Sequence, residues 1–397
     1  MNAWLFVFVL CAAVSPASAG PKSAQQAPAS SGTTHALTPQ AVNAHYAALV
    51  YATYADTWRS AKVMQAAIAA FLSHPSAHGL QSARQTWVEA REFYGQTEAF
   101  RFYGGPIDDR LGREGRINAW PVDESFIDGV RENPGKGLVN DRGFLISKQS
   151  LSAQNQRGGE ENVATGWHAI EFLLWGQDLD EAGPGNRSFE DYVDGKVLHA
   201  QRRRHYLKVV TELLIDDLGA LVRAWAPQRR GNFRSRFERG GAESLHRTLV
   251  GLGSLSRGEL AGERLEVALA SQDQEDEQSC FSDNTHRDVV ANALGIENVW
   301  LGRYVRSDGS VLRGPSLRDL VAARDAALAE RATKHFAASV AAARAIQAPF
   351  DREVVGGKDA PGRQRIQAVI DSLIEQSKDL VLAAQVLNIP RLTAVPR

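Results

Sequence analysis

The sequence contains, near its middle, the largely apolar segment Gly159-Glu-Glu-Asn-Val-Ala-Thr-Gly-Trp-His-Ala-Ile-Glu-Phe-Leu-Leu-Trp-Gly176. Its apolar residues recur at intervals of four, three and four from Val163 to Leu174, which is the spacing of one buried helix face. We therefore predict a buried helix of about four turns over this segment. Glu160 and Glu161 would lie in its first turn, where the helix dipole favours negative charge, and Gly176 would end it.

His168 and Glu171 lie three residues apart within this segment, so in a helix they share one face. An imidazole nitrogen and a carboxylate oxygen are both suitable ligands for zinc or iron. A second interpretation is a simple hydrogen bond, because a carboxylate buried in an apolar helix needs a partner and His168 can provide it. The composition, with 10 His and 46 acidic residues, is sufficient to produce one such pair by chance. The pattern leaves both interpretations open.

The first 19 residues have the features of a secretory signal peptide. An unbroken apolar run from Trp4 to Val14 is followed by Ala17 and Ala19, the small residues that a signal peptidase requires. The run is too short to cross a bilayer as a helix, so we expect cleavage after Ala19 and no transmembrane segment in the mature chain. Residues 20–38 are rich in Ala, Ser, Gln and Pro, and we predict that they form a flexible leader.

The charge and cysteine content restrict the remaining function classes. The chain has 45 basic and 46 acidic residues and no long basic block, so we expect no nucleic-acid surface. After cleavage the mature chain would keep one cysteine, Cys280, and could form no intrachain disulfide. Its stability would therefore come from packing or from a bound metal.

Helical periodicity continues on both sides of the central segment. We find no alternating apolar pattern bounded by turn signals, and we therefore predict an all-α fold. Residues 227–241 are polar, rich in Arg and interrupted by glycine, which is typical of a domain junction. This predicts an N-terminal helical domain over 39–227 and a C-terminal helical domain over 241–390. Besides the central helix, the predicted helices cover about 38–72, 80–102, 196–225, 242–271, 285–304, 316–346 and 363–387.

Two ligands on one helix would leave a divalent ion under-coordinated, so we expect further donors from outside it. One source is the run from Asp273 to His286, which combines acids, a thiol and an imidazole between two predicted helices. Its plainer interpretation is a solvated acidic turn followed by a helix cap. The additional candidate ligands are Asp123, Glu124, Glu259, Asp276, Glu277, Asp283 and His286.

Five strings of residues stand in the chain in order: Trp87 to Arg91, Gly105 to Asp108 with Arg116 to Glu124, the GxHxxE motif from Gly166 to Glu171, Gly251 to Arg264, and Glu275 to His286. Together they resemble the imelysin family, and within it the iron-regulated protein A type. The resemblance implies two four-helix-bundle-like domains with a functional cleft near their interface. It also implies a site that includes Gly166, His168 and Glu171. One departure is Gln278, where the family resemblance leads us to expect histidine.

The resemblance implies a periplasmic protein of iron uptake that binds iron, zinc or a metal-containing ligand through the GxHxxE helix. Another component of envelope iron uptake would be its partner. The alternative is a zinc-dependent metallopeptidase, which usually needs three protein ligands and a general base. Phe172 stands where a His-x-x-Glu-His signature would place the second histidine. We therefore favour binding over catalysis and assign no catalytic residue. A third interpretation is a helical scaffold for a partner, in which His168 serves only packing.

Overall fold

The computed structural model describes residues 37–110, 112–180, 183–390 and 392. The predicted signal peptide, and the predicted leader up to residue 36, lie outside them. None of the described helices is long and apolar enough to cross a membrane. The α-helices are α1 (Pro39–Ser73), α2 (Ala77–Tyr94), α3 (Arg113–Ile117), α4 (Glu124–Ile127), α5 (Lys148–Gln154), α6 (Gly166–Trp175), α7 (Ala200–Trp225), α8 (Phe233–Arg239), α9 (Ala242–Gly253), α10 (Val267–Ser271), α11 (Thr285–Leu301), α12 (Leu317–Ala322), α13 (Ala326–Ala345), α14 (Asp351–Val354) and α15 (Pro361–Val386). A π-helix covers Ser254–Glu266, and 3₁₀ turns cover Gly95–Phe100, Phe189–Tyr192, Gln274–Asp276 and Cys280–Ser282.

The all-α prediction is confirmed, and the strands of the described chain form one small hairpin. Strand β1 (Arg303–Val305) pairs antiparallel with β2 (Val311–Arg313). The prediction that the preceding helix extends to residue 304 is wrong. Gly302 adopts a left-handed conformation with φ of 56°, so α11 ends at Leu301 and the chain turns into β1.

Helices α1, α2, α6 and α7 form a first helix group, in which α1 packs on α2 and α7, α6 packs on α2 and α7, and every residue of α6 is buried. Helix α1 begins where the sequence predicts. The Thr38 hydroxyl accepts a hydrogen bond of 3.2 Å from the Ala41 backbone N–H, and Pro39 fits the first helical position. The length of α1 lets it contact both α2 and α7, so it forms one side of this first helix group.

A second group consists of α9, the π-helix, α11, α13 and α15. The predicted helix over 242–271 is present as α9, the π-helix and α10 in direct succession. Helix α11 also packs on α2 and on the 3₁₀ turn that follows it. The approach there is close, because a Cβ at Gly295 would lie 2.4 Å from the Gln96 carbonyl oxygen. Both helix groups lie within one compact unit, and the division into domains over 39–227 and 241–390 stays a prediction.

The central helix is shorter than its apolar pattern predicts. Helix α6 starts at Gly166, and no acidic residue occupies its first turn. Glu160 and Glu161 lie in an exposed turn before it, so their predicted interaction with the helix dipole is wrong. The apolar residue Val163 is buried as predicted, but in extended backbone that precedes the helix.

Candidate functional site

The start of α6 is fixed by residues from outside the helix. The Asn155 side-chain oxygen accepts hydrogen bonds from the backbone N–H groups of Ala164 at 2.9 Å and Thr165 at 3.1 Å, and so holds the preceding backbone extended. Gly166 has φ of 87°, in the left-handed region that favours glycine. A Cβ at Gly166 would lie 2.4 Å from the Ile117 carbonyl oxygen. The glycine of the GxHxxE motif therefore lets α6 pass directly against the 116–117 backbone.

Replacing Gly166 with alanine should lower the free energy of unfolding by about 2 kcal/mol or more, because the substitution combines a left-handed φ with a backbone clash. Urea denaturation followed by circular dichroism measures this. The matched control is Gly253→Ala. Gly253 ends α9 in right-handed helical backbone, and a Cβ there would meet nothing within 4 Å. The control should be neutral or stabilising by up to about 1 kcal/mol. Equal losses in both variants would contradict the close approach.

The GxHxxE motif places an imidazole against a carboxylate in the interior. His168 Nδ1 lies 2.7 Å from Glu171 Oε2, and the two side chains are 1% and 0% exposed. The other carboxylate oxygen, Oε1, accepts hydrogen bonds from the Ser282 backbone N–H at 3.0 Å and from the Ser282 hydroxyl at 2.6 Å. The second ring nitrogen of His168, Nε2, is buried without a hydrogen-bond partner in the described part of the chain. Both oxygens of the Glu171 carboxylate therefore have polar partners, whereas Nε2 of His168 has none among the described residues.

The surroundings determine the protonation of this pair. Burial raises the pKa of Glu171 to about 8, although hydrogen bonds from Ser282 and the charge of Arg91 oppose the rise. Burial, followed by the positive charge of Arg91, lowers the pKa of His168 well below its ordinary value. The imidazole is therefore neutral at physiological pH, which is the form that binds metals. When Glu171 is ionised it accepts the Nδ1 proton, and Nε2 then presents a lone pair.

A buried ion pair lies close enough to His168 to affect its pKa. Arg91 of α2 donates to Asp288 Oδ1 of α11 from Nε at 3.1 Å and from Nη2 at 2.8 Å. Its Nη1 donates to the Asn118 side-chain oxygen at 2.6 Å, and the Ser279 hydroxyl donates to the second oxygen of Asp288. Arg91 and Asp288 are each 1% exposed. This ion pair joins the first and second helix groups beside the motif.

Glu259, one of the predicted ligands, is part of a separate buried network. Arg264 Nη2 donates to Glu259 Oε1 at 3.0 Å and to Glu98 Oε2 at 2.6 Å. Arg101 also donates to Glu98 at 2.6 Å and lies 3.1 Å from Glu114. Although burial opposes the effect, Arg101 and Arg264 hold the pKa of Glu98 at about 2. The arginines therefore already neutralise these acids.

The other predicted ligands are dispersed. Asp123 and Glu124 are half-buried at the start of α4, and Asp276 is half-buried at the end of a 3₁₀ turn. His286 lies in the first turn of α11, with Nδ1 3.0 Å from the Asp283 carbonyl oxygen. In the described ranges, no set of three His, Cys, Asp or Glu side chains that includes His168 and Glu171 brings its donor atoms within 4.8 Å of one another.

Glu277 and Asp283 belong instead to a group of four acids, of which the other two were not among the predicted ligands. Donor oxygens of Asp178, Asp283 and Asp351 all lie within 4.8 Å of one another. The Glu277 carboxyl lies against that of Asp351, and burial together with this neighbour raises its pKa well above the ordinary value. We call these four residues the carboxylate cluster. Asp178 follows α6 and Asp351 begins α14, and no local pattern in the sequence distinguishes either one from a surface acid.

Comparison with known proteins identifies the family. Residues 50–380 match the family model described as Imelysin, which covers most of the chain. The chain belongs to the imelysin family. Iron-regulated protein A of Synechococcus elongatus is 27% identical over 363 residues, which is 88% of this chain and 89% of that protein. The resemblance proposed from the sequence is thereby confirmed, and this imelysin is related to iron-regulated protein A.

Two solved structures show the same fold. The crystal structure described as an iron-regulated protein A precursor from Parabacteroides distasonis has a TM-score of 0.68 at 17% identity, and covers 89% of this chain and 97% of that chain. An imelysin-like protein from Psychrobacter arcticum has a TM-score of 0.65 at 13% identity, and covers 89% of this chain and 96% of that chain. At these identities the likeness establishes the imelysin fold alone.

Several residues at the site were not identified from the sequence. Arg91 and Asn118 lie within two of the strings that carry the imelysin resemblance, so those strings gave a signal for them. Ser282 lies within the string from Glu275 to His286, which gave the same signal, whereas Asp288 had none, because an aspartate in a helix is an ordinary feature. Gln278, where the resemblance predicts histidine, is 3% exposed, and its Nε2 has no hydrogen-bond partner in the ranges described.

Proposed function

We propose that this imelysin is exported to the bacterial periplasm, takes part in iron uptake and binds a divalent metal ion, iron or zinc, through α6. The observation that carries the proposal is the unpartnered Nε2 of His168. A buried polar atom without a partner costs about 1–3 kcal/mol, so a partner for Nε2 would repay that loss. The export part rests on the signal-peptide features of residues 1–19, and the link to iron rests on the relationship to iron-regulated protein A.

The roles of the motif residues follow from their contacts. His168 would bind the metal through Nε2, while Glu171 holds Nδ1 and fixes the orientation of the ring. Metal-binding histidines commonly donate their other ring N–H to a carboxylate in this way. Ser282 holds Glu171 in turn, so Glu171 could bind the ion directly only by releasing one of its two partners. Gly166 places α6, as described above.

The same geometry disfavours peptide hydrolysis. A hydrolytic zinc site usually needs three protein ligands and an open position for water. His168 and Glu171 lack a third His, Cys, Asp or Glu donor within 4.8 Å in the described chain. Phe172, at the position of the missing histidine, is buried against Phe281 with ring centroids 5.2 Å apart. A purely structural scaffold would leave the unpartnered Nε2 without a role.

Calorimetric titration of Fe²⁺, under anaerobic conditions, and of Zn²⁺ into the chain from residue 20 onward tests the proposal. We expect His168→Ala to weaken binding at least about tenfold, because the substitution removes the proposed ligand atom. His335 provides a matched control. Its Nδ1 also lies 2.7 Å from a carboxylate, that of Asp379, but its side chain is 33% exposed. His335→Ala should leave the affinity unchanged.

Two results would reject this function. Unchanged affinity for both metals in His168→Ala would leave the His168–Glu171 pair as a packing element and favour the scaffold interpretation. Digestion of casein by highly purified protein, abolished by Glu171→Gln, would favour the metallopeptidase.

A further inference from the structure

We infer that the carboxylate cluster is a second cation site, separate from His168, which binds one hard divalent cation through oxygen atoms alone. The donor oxygens of Asp178, Asp283 and Asp351 lie within 4.8 Å of one another. Oxygen ligands of calcium lie 2.3–2.6 Å from the ion, so two oxygens on opposite sides of one ion are about 5 Å apart. The spacing of the three carboxylates therefore fits a single ion.

The fourth carboxylate supplies an independent observation. Glu277 is 1% exposed, and its carboxyl lies against Asp351 and the Thr285 side chain, but no described residue has hydrogen-bond geometry with either of its oxygens. Both oxygens of Asp283 and of Asp351, and one of Asp178, are unpartnered in the same way. These three aspartates are 6%, 4% and 3% exposed. Buried carboxylate oxygens without donors need a cation or protons, because burying an isolated negative charge is very costly.

The cluster differs from most other buried acids of this protein, which are paired with arginine, and from Glu171, which is held by His168 and Ser282. Examples are Asp128 with Arg203, Glu98 with Arg264, and Asp288 with Arg91. No Lys, Arg or His of the described chain makes an ion pair with any member of the carboxylate cluster. A divalent cation would supply the positive charge that arginine supplies elsewhere.

The position of the cluster gives an ion access. Asp178 lies just beyond the end of α6 and also lines an open cleft of about 710 Å³. Asp283 directly follows the 3₁₀ turn that contains Ser282, the residue that holds Glu171. Burial, and then the neighbouring Asp351 and Asp178, raise the pKa of Asp283 to about 8, so Asp283 holds a proton at neutral pH when no cation is bound. A cation would displace that proton.

The chemistry of the donors selects the class of ion. The cluster contains carboxylates without imidazole or thiolate, and such oxygen sites suit calcium, manganese and magnesium better than zinc. Magnesium requires ligand distances of about 2.0–2.1 Å and a nearly ideal octahedron, whereas calcium accepts a flexible geometry. Calcium and manganese are therefore the ions to test first.

Titration of Ca²⁺ and Mn²⁺ into protein treated with EDTA tests this inference. We expect one ion per chain in the wild type, with at least tenfold weaker binding in Asp351→Asn and in Asp283→Asn. His168→Ala should bind as the wild type does, because the two sites share no ligand. All variants are also titrated with Fe²⁺ and Zn²⁺, which separates this inference from the proposed function. The proposed function fails if His168→Ala binds Fe²⁺ and Zn²⁺ as the wild type does. The second site fails if the two aspartate variants bind Ca²⁺ and Mn²⁺ as the wild type does.

The melting temperature gives a second measurement that does not depend on the variants alone. Saturating Ca²⁺ or Mn²⁺ should raise it in the wild type and not in Asp351→Asn. Without a cation, Asp351→Asn should melt no lower than the wild type, because it removes a buried carboxyl group whose oxygens have no hydrogen-bond partner among the described residues. Two results would overturn the second site. One is a wild-type melting temperature that does not change on addition of Ca²⁺ or Mn²⁺. The other is unchanged affinity for these ions in both aspartate variants.

Discussion

Replacing Asp288 with asparagine should lower the free energy of unfolding by about 3–5 kcal/mol, the largest loss that we expect from a single substitution. Asparagine keeps the volume and can still accept a hydrogen bond, so the change removes charge rather than packing. Arg91 is 1% exposed and would then remain as an uncompensated charge in the interior. Asn118, its other partner, is neutral and cannot replace the carboxylate. Urea denaturation with circular dichroism measures the loss.

An exposed ion pair provides the control for this prediction. Asp194 accepts hydrogen bonds from Arg204 at 2.7 and 2.8 Å, but its side chain is 74% exposed. Asp194→Asn should therefore cost less than about 1 kcal/mol. A double variant, Arg91→Met with Asp288→Asn, should recover part of the loss because no charge remains buried. Equal losses in Asp288→Asn and Asp194→Asn would show that the buried pair does not have the expected effect.

Stability should fall as the pH rises from 6.5 to 9 in the presence of EDTA. Glu171 has a folded pKa of about 8, above its value in an unfolded chain. Its contribution to stability is therefore complete below the unfolded pKa and is lost as the pH rises through the folded pKa. Over this interval Glu171 accounts for a loss of about 2 kcal/mol. The raised pKa values of Asp283 and Cys280 act in the same direction.

Glu171→Gln isolates the contribution of one group. A glutamine resembles the protonated acid, and its amide can still bond to both His168 and Ser282. The variant should therefore show a fall in stability about 2 kcal/mol smaller than that of the wild type over the same pH interval. His168 has a lowered pKa, so its contribution is lost only as the pH falls below about 6.5, which lies outside the test. Parallel curves for the two proteins would contradict the raised pKa of Glu171.

The long helices were predictable because their signals are local. The Thr38–Pro39 cap and a continuous apolar period identify α1, and Pro361 opens α15 close to its predicted start. The start of α6 was not predictable, because it is set by Asn155 and by the backbone at Ile117, which reach Gly166 only in the folded chain. The apolar period continued beyond the helix since Val163 is buried without being helical.

The candidate site was predictable to the same extent. The three-residue spacing brought His168 and Glu171 together on one face, as their 2.7 Å contact shows. The group that reaches them from outside the helix is Ser282, within the predicted acidic string but not among its acids. The carboxylate cluster was not predictable, because it includes Asp351. The proximity of Asp351 to Asp283 depends on how α14 packs, and no local sequence pattern indicates it.

The Arg91–Asp288 ion pair joins residues separated by 197 positions in the chain. Any piece of the protein that stops before α11 contains Arg91 without its acid, and the arginine would then have to remain in water or be buried as an unpaired charge. The first helix group therefore reaches its final packing only when the chain is present up to residue 288. For a chain synthesised from its N-terminus, we therefore expect the two helix groups to complete their folding together and late, since the contact that joins them closes a very long loop.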